Sequence, residues 1–402
     1  MTDSGLLHTD NQLEHFRRHL LADPELQQRL GALADPADFA PAAVAAAAEA
    51  GITLTEDDLL DTMRPDPLGI ARYSNAPATH REPPLGDWLP VAIVPAGAEL
   101  GVDWAHFAGE PLTEPFFEDS LRQARALPLN RLLKLRTPLS ALAATVGDDP
   151  AVPDGFIFHL SRCGSTLVSQ MLAADPRNTV LSEALPIESI VQLAESNPGV
   201  PIEERLRLLR AIVGALGRDR IGSRRHFVVK LDSWHVFALP LFRLAFPNTP
   251  WVFLYRDPVE ILVSHARMPG MQTVAGVLPH DPYGIPDGAT MPIEEYSARA
   301  LGRTAEAAVE HFALGGGMVI NYAALPQAVE DRILPHFGII PDAAERAAMA
   351  AAAGRDAKAP QEAFSSDGEE KRREASPKIH SAAVHLEEPY RRLEALRLAH
   401  EQ

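Results

Sequence analysis

Phe156-Ile-Phe-His-Leu-Ser-Arg-Cys-Gly-Ser-Thr-Leu167 is the stretch that decides the fold. Phe156 to Leu160 is an apolar run of the kind that forms a buried parallel strand. Ser161-Arg162-Cys163-Gly164 makes a tight turn, and Ser165-Thr166-Leu167-Val168 opens a helix with Leu167, Val168, Met171 and Leu172 on one face. A strand that turns sharply into a helix presents backbone N–H groups and the positive end of the helix dipole. That arrangement suits a phosphate or sulfate group, and Arg162 with the two hydroxyls adds charge and donors. The loop is not a Gly-x-x-x-x-Gly-Lys-Ser/Thr loop, because no Lys precedes the hydroxyl pair. Alone, the pentapeptide also fits an ordinary strand–turn–helix link, so a second element has to decide.

That element is Trp251-Val-Phe-Leu-Tyr-Arg-Asp-Pro-Val-Glu-Ile-Leu-Val-Ser264. Trp251 to Tyr255 reads as another buried strand. Asp257 is the expected N-cap of the next helix, with Pro258 at its first position and Glu260 closing a capping box. Arg256 then stands at the carboxyl end of a strand, where open α/β sheets bind ligands, and Ser264 lies about two turns along the helix.

Together the two elements resemble the co-substrate signatures of the sulfotransferases that use 3′-phosphoadenosine 5′-phosphosulfate (PAPS). In that family a Lys/Arg-Ser-Gly-Thr/Ser-Thr loop binds the 5′-phosphosulfate. A strand-terminal Arg with a Ser eight positions later binds the 3′-phosphate. Arg162-Cys163-Gly164-Ser165-Thr166 and Arg256 with Ser264 match both, with Cys163 in place of the usual Ser. The resemblance runs from about Gly155 to His400. It implies PAPS as co-substrate, held by Arg162, Cys163, Gly164, Ser165, Thr166, Arg256 and Ser264, and no metal.

Sulfuryl transfer needs a base for the acceptor and a cation at the leaving oxygen. Val180-Leu181-Ser182-Glu183 is a short strand ending near Glu183, 21 positions after Arg162. The tyrosylprotein sulfotransferases, which this stretch resembles, place their general base at a similar offset. His226-Phe-Val-Val-Lys230 is a further buried strand, ending 26 positions before Arg256, and the resemblance makes Lys230 the catalytic cation. Cytosolic sulfotransferases carry a basic His two residues after that Lys, where this chain has Asp232. We therefore read Glu183 as the base, Asp232 as the alternative, and Lys230 with Arg162 as catalytic cations.

Composition is compatible with this reading. The chain has 402 residues, 46% hydrophobic, enough for one large α/β domain and a smaller one. A net charge of -17 argues against nonspecific nucleic-acid binding. One cysteine precludes an intrachain disulfide and fits a reducing, cytoplasmic compartment. Met1 to Asp10 shows no signal-peptide pattern, and no apolar run approaches a membrane span of ~18 residues. The histidines show no metal-ligand spacing.

Residues 11–63 read as a small all-α module. Asp23-Pro24 and Asp35-Pro36 are helix starts, an Ala-rich helix spans Ala37 to Gly51, and Thr55 begins a last helix. "LLADPELQQRL", "DPADF" and "AGITLTEDDL" resemble the Nif11-like domain, which implies peptide docking. Residues 64–86, rich in Pro and Ala, read as a linker, and 87–150 as an extension of the catalytic domain. Residues 151–402 are then the sulfotransferase-like part. Within it, Pro269 to Pro292 is a Pro/Gly-rich loop of the length of a lid or a disordered segment, and Met318 to Tyr322 is a further strand. Lys371-Arg-Arg373 stands where sulfotransferases have a late basic loop, and a helix covers Ala382 to His400.

The expected architecture is a P-loop-like three-layer α/β/α domain with a central parallel sheet, preceded by the all-α module. The expected activity is sulfuryl transfer to a hydroxyl or amine of an acceptor, small molecule or peptide. Two rivals predict different things: a phosphotransferase needs Gly-Lys-Ser/Thr and acidic Mg²⁺ ligands, and a non-catalytic docking protein needs no nucleotide.

Overall fold

Four helices open the chain: α1 (Asp3–Ala22), α2 (Pro24–Gly31), α3 (Pro36–Glu49) and α4 (Glu56–Thr62). Their starts follow from side-chain chemistry. Asp23 Oδ1 accepts from Leu26 N at 3.0 Å, Asp35 Oδ1 accepts from Ala37 N at 2.8 Å, and Thr55 forms a capping box with Asp58. Phe16, Leu20, Phe39, Ala43 and Leu59 supply the buried faces. The computed structural model describes residues 3–64, 78–84, 86–145, 150–278, 281–355 and 368–400.

The chain divides into two compact units. One comprises Met1–Pro111, Glu118–Ala151 and Ala211–Gly222; the other comprises Leu112–Phe117, Val152–Arg210 and Ser223–Gln402. The first unit contains α1 to α4 and a sheet of order β1-β4-β3-β2, made of β1 (Ala78–Thr79), β2 (Trp88–Ala96), β3 (Glu99–His106) and β4 (Leu135–Pro138). Helix α5 (Phe117–Ala126) and the short α6 (Pro128–Leu132) lie between β3 and β4 in sequence.

This division runs differently from the expected boundaries. The helices of 11–63 share a unit with most of 87–150. Trp88 Nε1 donates to Gln27 Oε1 at 2.8 Å, and Arg17 Nε donates to Leu132 O at 3.0 Å. Part of the expected linker is strand β1, which pairs in parallel with β4; residues 65–77 and 85 lie outside the described residues. A linker reading rests on local composition, whereas these pairings are long-range.

Gln27 is the hinge of that packing. Its Nε2 donates to Leu20 O at 2.9 Å and Leu21 O at 3.0 Å, while its Oε1 serves the fully buried Trp88. Gln27→Leu would leave the buried Trp88 indole N–H without its partner and remove a donor from Leu20 O and Leu21 O. It should lower unfolding stability by about 1–3 kcal/mol, read by urea denaturation of the full chain.

The second unit holds a five-stranded sheet, all parallel, of order β6-β7-β5-β8-β9. Its strands are β5 (Gly155–His159), β6 (Thr179–Ser182), β7 (Phe227–Lys230), β8 (Trp251–Tyr255) and β9 (Gly317–Asn321). Every residue of β5, β7 and β8 is buried, as a parallel sheet covered on its faces requires. Phe158 packs edge-on against Phe242 and Trp251, with centroids 5.7 Å and 6.0 Å away.

Flanking helices are α7 (Ser165–Ala173), α8 (Leu185–Ser196), α9 (Ile202–Leu216), which runs into the first unit at Ala211, α10 (Leu239–Ala245) and α11 (Pro258–Arg267). They are followed by α12 (Ile293–His311), the turn α13 (Leu334–His336), α14 (Ala343–Ala353), α15 (Gly368–Glu374) and α16 (Pro377–His400). The α/β class with a central parallel sheet is therefore as expected. The chain leaves β5 toward β6 on one side and leaves β8 toward β9 on the other. The sheet's switch point thus falls between the carboxyl ends of β5 and β8, where a ligand crevice forms. Among the described residues, no helix is long and apolar enough to cross a membrane.

Candidate active site

A cleft of about 430 Å³ opens at that switch point. It is lined by Arg162, Gly164, Ser165, Thr166, Glu183, Asp232, Arg256 and Ser264, and also by Phe116, His159, Ser161, Trp234, Gln272, Tyr322 and Lys371. Two signatures about a hundred residues apart in sequence therefore meet in one place.

The loop between β5 and α7 is bent by two left-handed residues, Arg162 at φ 62° and Gly164 at φ 88°. Glycine suits the second. A Cβ there would also come within 2.8 Å of Tyr322 and Leu325 side-chain atoms. No side chain caps α7, so its first turn faces the cleft with Ser165 and Thr166. Arg162 Nη2 donates to Met268 O at 2.8 Å, and burial lowers the pKa of its guanidinium. Cys163 does not face the cleft. Its thiol is buried, donates to Leu254 O at 3.3 Å, and is pushed up to about 12 by burial. The Cys163 side chain thus packs the loop onto β8.

Arg256 is buried at the end of β8, with its guanidinium 3.9 Å from the centroid of the Tyr322 ring. Asp257 caps α11, accepting from Val259 N and Glu260 N at 3.0 and 3.1 Å. Glu260 does not return to the cap as a capping box would. It pairs with the buried Arg256 Nε at 2.8 Å and with the exposed Arg372 Nη1 at 2.9 Å, because guanidinium groups are stronger partners for a carboxylate than a backbone N–H. Of the basic triplet, Lys371 is buried and lines the cleft, Arg372 binds Glu260, and Arg373 is exposed. The Pro269–Pro292 segment is in part well packed. Tyr283 and Tyr296 form a small core with Ala300, and Gln272 reaches the cleft; residues 279–280 lie outside the described residues.

The two carboxylates differ sharply. Parallel register sets Ser182 beside Lys230, so Glu183 follows at the strand end, at φ 54°. A non-glycine residue held there is strained, a condition that concentrates at functional sites. Glu183 Oε1 accepts from Lys230 Nζ, and His159 Nε2 lies 3.6 Å from the same oxygen. Burial alone would raise the Glu183 carboxyl, but the charge and hydrogen bond of Lys230, with His159 close by, reverse this and hold it well below the usual carboxylate range. Lys230 is fully buried, with Phe116 5.0 Å from its Nζ. Asp232 faces the same cleft. Burial, reinforced by the charges of Glu183 and Glu188 and opposed by His235 and Lys230, pushes it up to about 7.

Behind Asp232, Glu188 accepts from Trp234 Nε1 at 2.9 Å and pairs with His235 Nε2, while Asp232 N donates to His235 Nδ1 at 3.2 Å. Glu188, Asp232 and His235 have ligand atoms within 4.8 Å of one another. Hydrogen bonds within the cluster already engage Glu188 and both His235 nitrogens, so these groups brace the Asp232 turn.

His159, Phe116, Gln272 and Tyr322 were not singled out from sequence. His159 stands out there as the one ionisable residue inside the β5 apolar run, and Tyr322 as the aromatic residue that follows the last strand.

No protein-family model and no curated protein matches this chain. Solved structures do. The sulfotransferase domain from the curacin biosynthetic pathway aligns over 59% of this chain and 98% of its own, at 15% identity and a TM-score of 0.39. A Mycobacterium tuberculosis sulfotransferase aligns over 67% and 85%, at 15% and 0.36. One from Alicyclobacillus acidocaldarius aligns over 61% and 96%, at 16% and 0.35.

Proposed function

We propose that the protein transfers a sulfuryl group from PAPS to a hydroxyl or amine of an acceptor. One observation carries the reading: the Arg162–Thr166 loop, Arg256 with Ser264, and Glu183, which holds the buried Lys230, converge on a single cleft at the switch point of a parallel sheet. The donors suit a nucleotide with anionic groups at two places. Arg162, Ser165, Thr166 and the first turn of α7 would hold the phosphosulfate, and Arg256 and Ser264 the 3′-phosphate, with Lys371 beside them.

When bound, the donor supplies an activated sulfuryl group on a phosphate leaving group. Lys230 stands ready to exchange Glu183 for the leaving oxygen as negative charge develops there. The base is assigned differently from the sequence expectation. A carboxylate fixed to Lys230 and held far below neutral pH accepts a proton poorly, so Glu183 orients Lys230. Asp232, poised near 7 and facing the cleft, takes the acceptor proton.

The test is thermal unfolding with 3′-phosphoadenosine 5′-phosphate. At about 100 times its dissociation constant the nucleotide should stabilise the full chain by ~2.7 kcal/mol. An unchanged melting curve at millimolar nucleotide would remove the basis of the assignment.

A further inference from the structure

We propose that His159 carries a proton on both ring nitrogens and serves as a fixed cation of the cleft, a positioning residue for Glu183 and, through it, Lys230. The ring is buried at the end of β5, only 4% exposed. Nδ1 lies 2.9 Å from Leu160 O and Nε2 lies 2.9 Å from Leu231 O, both with hydrogen-bond geometry. A carbonyl oxygen only accepts, and a neutral imidazole has one N–H. In either neutral tautomer a nitrogen lone pair would therefore face a carbonyl lone pair away from water, which is costly. Two protons satisfy both contacts.

The counter-charge is present. Glu183 Oε1 lies 3.6 Å from Nε2, at the end of the strand next to β7. Glu183 faces the ring from the end of β6, its Oε1 also accepting from Lys230 Nζ of β7, and Asp232, which follows Leu231, lines the same cleft.

The arrangement has a consequence for catalysis, which rests on the sulfuryl-transfer reading. If Lys230 turns toward an incoming anion, a carboxylate with no second cation would be left buried and unpaired. His159 keeps Glu183 partnered, so Lys230 can move while the carboxylate stays. The same ring ties the Leu231 carbonyl, and hence the turn that carries Asp232, to the end of β5.

The experiment is a long-range ¹H–¹⁵N spectrum of the full chain labelled at histidine, at pH 7 without ligand. His159 is assigned by comparison with His159→Gln, or by ring-proton contacts to Glu183 and Leu231 if that variant does not fold. Both His159 nitrogens should show the shift of protonated nitrogen; one nitrogen in the unprotonated range overturns the proposal. In folded His159→Gln, turnover should fall about 10- to 100-fold with little change in nucleotide KM, because a misplaced group costs rate. Wild-type turnover in that variant would overturn the positioning role. A wild-type chain that binds no nucleotide would instead sink the sulfuryl-transfer reading, and the histidine spectrum would still decide the proton.

Discussion

Asp232→Asn should lower turnover by about 10²–10⁴ and leave nucleotide affinity almost unchanged. Asparagine keeps the shape and the backbone N–H bond to His235 but cannot accept the acceptor's proton. The pH profile carries the same information. Asp232 works as a base only when ionised, and its folded pKa is raised to about 7, so activity should climb as pH rises through neutrality. That rising limb should vanish in the variant. Stability should not suffer, because a raised carboxyl pKa means that its charge opposes folding above the unfolded value, and the amide removes that charge. Glu183→Gln should behave differently. It strands the fully buried Lys230 without its carboxylate, a change worth about 3–5 kcal/mol of stability. If the melting point holds in Glu183→Gln and its turnover falls further than in Asp232→Asn, the roles of the two carboxylates are reversed.

Arg256→Ala should weaken binding of 3′-phosphoadenosine 5′-phosphate by about 1.5–3 kcal/mol, roughly 10- to 150-fold. The guanidinium is buried against Tyr322 and shared with Glu260, so it is presented in one orientation and contributes without a large ordering cost. Adenosine 5′-phosphosulfate lacks the 3′-phosphate, and its affinity should hardly move. Equal losses for the two nucleotides would place Arg256 somewhere other than beside the 3′-phosphate. Removing Arg256 also leaves Glu260 with Arg372 as its partner, which limits the structural damage.

What could be read from sequence is what local order dictates. The β5–loop–α7 and β8–Arg256–α11 units were legible because an apolar run followed by turn and cap residues has few alternatives. Glu183, Lys230 and Asp232 were each legible as residues near strand ends, but not their relation. That Glu183 is bound to Lys230 depends on the pairing of Ser182 with Lys230 across β6 and β7, which no local pattern encodes. The division of labour we propose for the two carboxylates rests on that pairing and on burial.

The capping-box reading of Glu260 failed for the same reason. Glu260 sits at a capping-box position but faces two arginines, one of them more than a hundred residues away. Cys163 sits in the anion loop but points back into the sheet. Composition alone marks residues 64–86 as a linker, while Gln27 and Trp88 fasten the helices to the following sheet.

The most direct test of the central claim is a calorimetric titration of the full chain with 3′-phosphoadenosine 5′-phosphate, set against adenosine 5′-phosphate. One saturable site per chain, with the 3′-phosphate adding at least tenfold in affinity and that increment lost in Arg256→Ala, is the predicted result. No heat of binding, or equal affinity for the two nucleotides, would contradict it.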